Sequence, residues 1–126
     1  NRQYSETLII TGNQRDKELA LDAIHREGLH CVFGGRFFEV SLGSDKGKAV
    51  KILNELFKLN FDQITTYGIG DGENDIPMLN SVDYPILVQN AEKHWGKIKV
   101  KGLVKIKGTG PIGFSQAVKQ SIFSLG

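Results

Sequence analysis

Two aspartates four positions apart, Asp71 and Asp75, stand in the segment Gly68-Ile69-Gly70-Asp71-Gly72-Glu73-Asn74-Asp75-Ile76-Pro77-Met78-Leu79. Carboxylates so placed are ordinary ligands for a hard cation such as Mg²⁺, which keeps several waters and takes the rest of its shell from substrate phosphate. The preceding residues, Ile64-Thr65-Thr66-Tyr67, read as a short buried strand, and Ile76 to Leu79 opens a helix. The pair then lies on a strand-to-helix loop, the edge at which open α/β sheets bind ligands. Glycines at 68, 70 and 72 let the backbone approach a ligand closely. Asn74 adds an amide able to orient a water, a carboxylate or a phosphate oxygen. The bland alternative is a helix N-cap followed by a first-turn acid, worth a few tenths to about 1 kcal/mol. An EF-hand calcium loop is excluded, because its sixth and twelfth positions must be Gly and Glu and are here Ile76 and Val82.

Lys46, in Ser44-Asp45-Lys46-Gly47-Lys48, falls in the first turn of an expected helix. A cation there opposes the helix dipole unless an anion faces it. Gly47 beside it is a poor helix former. Both features make sense if the turn approaches a phosphate; the alternative is a solvated lysine beside Asp45. Arg36 follows Gly34 and Gly35 at a hairpin turn. Its guanidinium suits a carboxylate or phosphate, although an exposed strand-edge arginine fits the same position.

Lysines at 93, 97, 99, 101, 105 and 107 form a basic run. No aromatic residue lies between 98 and 107 to stack bases, so solvated strand faces are preferred over nucleic-acid binding. His25, His30 and His94 have no metal-ligand spacing with one another or with Cys31. No nucleophile triad is recognisable.

The elements that must position these residues follow from periodicity. Thr7 to Thr11 reads as a strand; Asn13 to Asp16 caps a helix to about Glu27, with Leu19, Ala20, Ala23 and Ile24 on one face and Gly28 as its stop. Leu29 to Phe33 and Arg36 to Leu42 read as a hairpin about Gly34-Gly35. Ser44 or Asp45 caps a helix to about Leu59 with a stripe of Ala49, Val50, Leu53, Leu56 and Phe57. A strand at 64–69, a helix at about 75–81, a strand at Tyr84 to Val88, an irregular stretch and a helix from Ile112 to Leu125 complete the pattern. We expect an α/β fold: residues 1–43 as a small α+β unit, and 44–126 as a layered unit with a parallel sheet.

The 126 residues hold 40% apolar and 24% charged side chains, enough for a core and unlike a disordered chain. A net charge of +2 gives no argument for nucleic acid. The single Cys31 excludes an internal disulfide framework and fits a reducing, cytoplasmic setting. No run approaches ~20 apolar residues, so no membrane span is expected. Without an initiator Met, Asn1 is expected to be an internal residue of a longer chain.

Lys46-Gly47 at a helix start, followed by Gly-Asp-Gly-Glu-Asn-Asp, resembles the haloacid dehalogenase (HAD) superfamily of phosphatases. Arg2-Gln3-Tyr4-Ser5-Glu6, Gly34-Gly35-Arg36-Phe37, Asp45-Lys46-Gly47-Lys48-Ala49-Val50, Asn74 to Leu79 and Gly110-Pro111-Ile112-Gly113-Phe114 are similar to the mannosyl-3-phosphoglycerate phosphatases within it. The resemblance implies a Rossmann-like parallel core following the end of a cap domain. It further implies Mg²⁺-dependent hydrolysis of a phosphorylated sugar or glycerate through an aspartyl-phosphate. Lys46 would be the catalytic lysine, Asp71 and Asp75 the metal acids, and Arg36, Gly35 and Asn74 substrate contacts. The family's Asp-x-Asp nucleophile loop is missing from this sequence. The nucleophile, the central strand and the N-terminal half are therefore expected upstream of Asn1 or on a partner chain. Without them the expectation is no turnover, which leaves a non-catalytic metal- or anion-binding module as the alternative.

Overall fold

The β-branched residues Thr7, Ile9, Ile10 and Thr11 are stiff at χ1 and form the strand expected of them, β1 (Thr7–Gly12). The computed structural model describes residues 6–33, 37–42, 46–58, 64–90 and 92–121. Its other elements are α1 (Gln14–Arg26), β2 (Cys31–Phe33), β3 (Phe37–Ser41), α2 (Lys46–Lys58), β4 (Ile64–Gly70), a 3-10 turn (Glu73–Asp75), α3 (Ile76–Leu79), β5 (Tyr84–Val88), β6 (Val104–Ile106) and α4 (Gly110–Ser121).

Three elements differ from the sequence reading. The helix expected at 75–81 is a 3-10 turn followed by the four residues of α3. The last helix begins at Gly110, not Ile112, because a proline in a helix's first turn lacks only an N–H that would have had no helical partner. The stretch after β5 contains β6, which pairs in parallel with β5. Side-chain hooks order that stretch. Gln89 Oε1 accepts the Gly108 N–H at 2.8 Å, and Trp95 Nε1–H donates to the Ile106 carbonyl at 3.1 Å.

Six strands make one mixed α/β sheet in the order β2-β3-β1-β4-β5-β6. β4, β5 and β6 run parallel, with α3 between β4 and β5 and no helix described between β5 and β6. β2 and β3 form the expected antiparallel hairpin, with Cys31 opposite Val40. β1 pairs antiparallel with β3 on one side and with β4 on the other. The sheet therefore runs through the junction near Gly43, and β1 occupies the edge of β4 away from β5.

Strand alternation divides the core. Leu8, Ile10, Phe38 and Val40 face α1, α2 and α3, while Ile9, Phe37, Tyr67, Ile69, Ile86 and Val88 lie on the face that α4 covers. Along α2 the buried stripe is Ala49, Ile52, Leu53 and Leu56; Phe57, expected inside, is 86% exposed. Leu19 likewise sits outside the buried face of α1, which is Ala20, Ala23 and Ile24.

Both ends of α1 are closed as its sequence predicts. Asn13 Oδ1 accepts the Asp16 N–H at 2.8 Å. Gly28 adopts φ +74°, with its N–H on the His25 carbonyl and the Leu29 N–H on the Ile24 carbonyl, a Schellman closure. Gly28→Ala is expected to destabilise the chain by about 1 kcal/mol, the cost of a Cβ in left-handed backbone. A urea midpoint no lower than that of the parent would refute it.

Candidate functional site

β4 ends at Gly70, and Asp71 is the first residue beyond it, at the carboxyl edge of the parallel strands. Period-2 alternation sends Tyr67 and Ile69 to the α4 face and turns residues 66, 68 and 70 toward α3. Space there is tight: a Cβ on Gly68 would lie 3.2 Å from the Val82 methyls and 3.4 Å from the Met78 methyl. The close packing draws α3, and the loop that leads into it, down against the strand end.

Within that loop Asp71 and Gly72 are half-buried, Glu73 and Asn74 are exposed, and Asp75 is 1% exposed. The carboxylate of Asp75 turns back under the loop. Its Oδ2 accepts the N–H of Asp71 at 3.0 Å and of Gly72 at 3.3 Å.

The antiparallel pairing of β1 adds a residue that motif spacing does not reveal. Thr7 is opposite Ile69, so Glu6, just before β1, arrives beside the end of β4. One carboxylate oxygen from each of Glu6, Asp71 and Asp75 lies within 4.8 Å of the others. Three like charges so close disfavour one another unless protons or a cation balance them. The donor set is all oxygen and all anionic, which fits a hard divalent cation. No sequence signal joins Glu6 to the two aspartates; only the strand pairing does.

Among the other site residues expected from sequence, Lys46 opens α2, but its side chain lies outside what the structure describes. α2 packs against α3, so the helix that begins with Lys46 is a neighbour of the acidic loop's helix. Gly35 and Arg36 lie outside the described residues. Asn74 is placed on the exposed side of the loop. The lysines at 93, 97, 99, 101, 105 and 107 are all exposed.

Two groups near the sheet have displaced proton affinities. Burial pushes the Tyr67 hydroxyl up, helped by Tyr84, whose ring stacks on it at 5.1 Å, and by Asp83. Burial also raises the Cys31 thiol, which disfavours the thiolate. Asp83 instead ties two strand ends together, its Oδ2 accepting the Thr66 N–H at 2.9 Å.

Comparison with known proteins identifies the family of the chain. A family model described as haloacid dehalogenase-like hydrolase matches residues 33–99, more than half of the chain. A glucosyl-3-phosphoglycerate/mannosyl-3-phosphoglycerate phosphatase of Methanococcoides burtonii is 34% identical over 96% of this chain and 45% of its own length. A protein of the same description from Persephonella marina is 34% identical over 93% of this chain and 44% of its own length. The mannosyl-3-phosphoglycerate phosphatase of Pyrococcus furiosus is 40% identical over 73% of this chain and 38% of its length. The chain thus spans less than half the length of the curated relatives it matches. No helix among the described residues is long and apolar enough to cross a membrane.

Proposed function

Because the chain belongs to the haloacid dehalogenase-like hydrolase family, we propose that it is the C-terminal part of a Mg²⁺-dependent phosphatase acting on a sugar-linked phosphate monoester, mannosyl-3-phosphoglycerate foremost. The observation that carries this reading is the gathering of the Glu6, Asp71 and Asp75 carboxylates at the end of β4.

Asp71 provides a metal-binding carboxylate, and Asp75 supports it. Bound Mg²⁺ supplies positive charge against the phosphoryl oxygens. Lys46, from the start of α2, adds a second positive group facing the nucleophile and the transferring phosphate. Phosphoryl transfer rests on such positioning and neutralisation more than on covalent chemistry by the protein. The nucleophilic aspartate belongs to the remaining part of the protein or to a partner chain. Its carboxylate oxygen bonds phosphorus as the ester P–O bond breaks, a second acid protonates the leaving oxygen, and water then releases phosphate. Residues 1–43 are proposed as the C-terminal part of a cap domain, although β1 to β3 share one sheet with β4 to β6, and Arg36 and Gly35 would meet the glycerate carboxylate or a sugar oxygen. Asn74 borders the phosphate. The single thiol suits work in the cytoplasm.

A protein extended by the upstream half is expected to release inorganic phosphate from mannosyl-3-phosphoglycerate with Mg²⁺ present and to stop when EDTA is added. Absence of release from that compound and from other phosphate monoesters would end the proposal. The lack of an Asp-x-Asp loop here favours one second reading, a subunit that binds metal or anion without catalysis. That reading requires Mg²⁺ or phosphate to raise the Tm of the 126-residue chain by itself.

A further inference from the structure

We propose that Lys93 is a specificity-determining residue, placed at the carboxyl edge of the sheet to take a second anionic group of a phosphate-monoester substrate. Its position comes first. β5 pairs in parallel with β4, with Leu87 opposite Gly70, so the segment after β5 leaves the sheet at the same edge as Asp71. Neighbouring strands lie about 4.8 Å apart. A lysine just beyond β5 is therefore close to the acidic loop and to a substrate whose phosphate lies there.

The backbone adds a second observation. Lys93 is held at φ +63°, the one non-glycine residue in the left-handed region among those described. That conformation is strained for a lysine and free of steric cost for glycine. Two side-chain amides support it. Asn90 Oδ1 accepts the Glu92 and His94 N–H groups at 3.0 and 3.1 Å, and the Lys93 N–H donates to the Asn90 carbonyl at 2.9 Å. Gln89 Nε2–H donates to the Lys93 carbonyl at 2.9 Å, while its Oε1 accepts the Gly108 N–H at 2.8 Å. Glycine at 93 would relieve the strain, so a lysine there points to a use for its side chain.

Charge is the third. The Gln89 bridge draws the backbone of Lys93 toward Gly108 and its neighbour Lys107. Both lysines are exposed, and among the described residues neither is in an ion pair. Glu92 is the only acid after Asp83 in the sequence, against seven lysines. Such a one-signed field attracts an anion. The metal and Lys46 already answer the phosphate, which leaves Lys93 for a second anionic group such as a glycerate carboxylate. This assignment rests on the phosphatase reading above.

The test uses the extended protein with two substrates, mannosyl-3-phosphoglycerate and para-nitrophenyl phosphate, a monoester without a carboxylate. Lys93→Gly should raise KM for the first about tenfold or more, the scale of one lost hydrogen bond to a charged group. For the second it should raise KM less than about threefold. The loss should fall on KM more than on kcat, because the contact is made in the ground state and the transition state alike. Lys93→Arg, which keeps the charge, should recover part of the affinity. Lys93→Gly should also have a urea midpoint at least equal to the parent's, since it removes the strain.

Equal KM changes for the two substrates, or no change for either, would overturn the proposal. A lowered urea midpoint with an unchanged KM would give Lys93 a structural role instead and would overturn it too. Should the extended protein release no phosphate, the phosphatase reading falls, and calorimetric titration with 3-phosphoglycerate judges Lys93 by itself. Weaker binding in Lys93→Gly than in the parent would support an anion-binding role. Equal affinity, or no binding to either protein, would end it.

Discussion

Asp71→Asn in the extended protein is expected to lower kcat by at least about a thousandfold while the fold survives. The magnitude follows from what is removed. One preorganised charge or donor at a developing anion is worth about 100- to 1,000-fold, and here the loss of metal charge adds to it. The fold survives because Asp71 is half-buried at a strand end, and its backbone N–H, held by Asp75, is untouched by the substitution. Lys46→Ala should act in the same direction. Lys46→Arg should not restore the rate, because a planar fork does not replace a compact ammonium. Phosphate release at saturating substrate, paired with a urea midpoint for each variant, checks both statements. Activity within tenfold of the parent for either Asp71→Asn or Lys46→Ala would remove that residue from the site.

The largest effect on stability is expected at Gly113. It stands in the first turn of α4, where a Cβ would overlap the Gly108 carbonyl oxygen, lie 2.9 Å from the Gly108 carbonyl carbon and 3.2 Å from Val88 Cβ. Ordinarily Gly→Ala in a helix gains up to about 1 kcal/mol. The obstacle here is backbone, which cannot rotate aside, and Gly108 is itself held at φ +120°. Overpacking of this kind costs about 1–3 kcal/mol and shifts the backbone. Gly113→Ala should therefore lower the urea midpoint despite its better helix propensity. A midpoint equal to or above that of the parent would show that α4 can move off β5 at little cost.

Most of the framework could be read from the sequence, for identifiable reasons. Asn13 and Gly28 close α1 because a side-chain acceptor and a positive φ are local properties. Asp71 and Asp75 are together because four positions of loop and turn join them. What could not be read depended on distant parts of the chain. Val104-Lys105-Ile106 alternates like a strand but is only three residues long, so its bounds and its parallel pairing with β5 come from tertiary contacts, the Trp95 and Gln89 hooks among them. Phe57 satisfies the helical period of α2, but it lies beyond the surface that α1 and α3 cover. Glu6 reaches the acids only because β1 pairs with β4, and no local rule specifies that partner.

That same pairing sets a clock on assembly. β1 and β4 meet across a long span; Thr11 and Thr65, which face each other, are 54 residues apart in sequence. Closing such a loop costs entropy before any contact is gained, and chains dominated by long-range pairs fold in milliseconds to seconds instead of microseconds. The Asp71–Asp75 turn, by contrast, closes within five residues and can form as soon as β4 and α3 meet. Two of the three carboxylates are thus gathered by a local turn, and the third depends on the long-range pairing of β1 with β4. Mutations along β1 should consequently slow the appearance of the complete cluster without altering the turn that starts it.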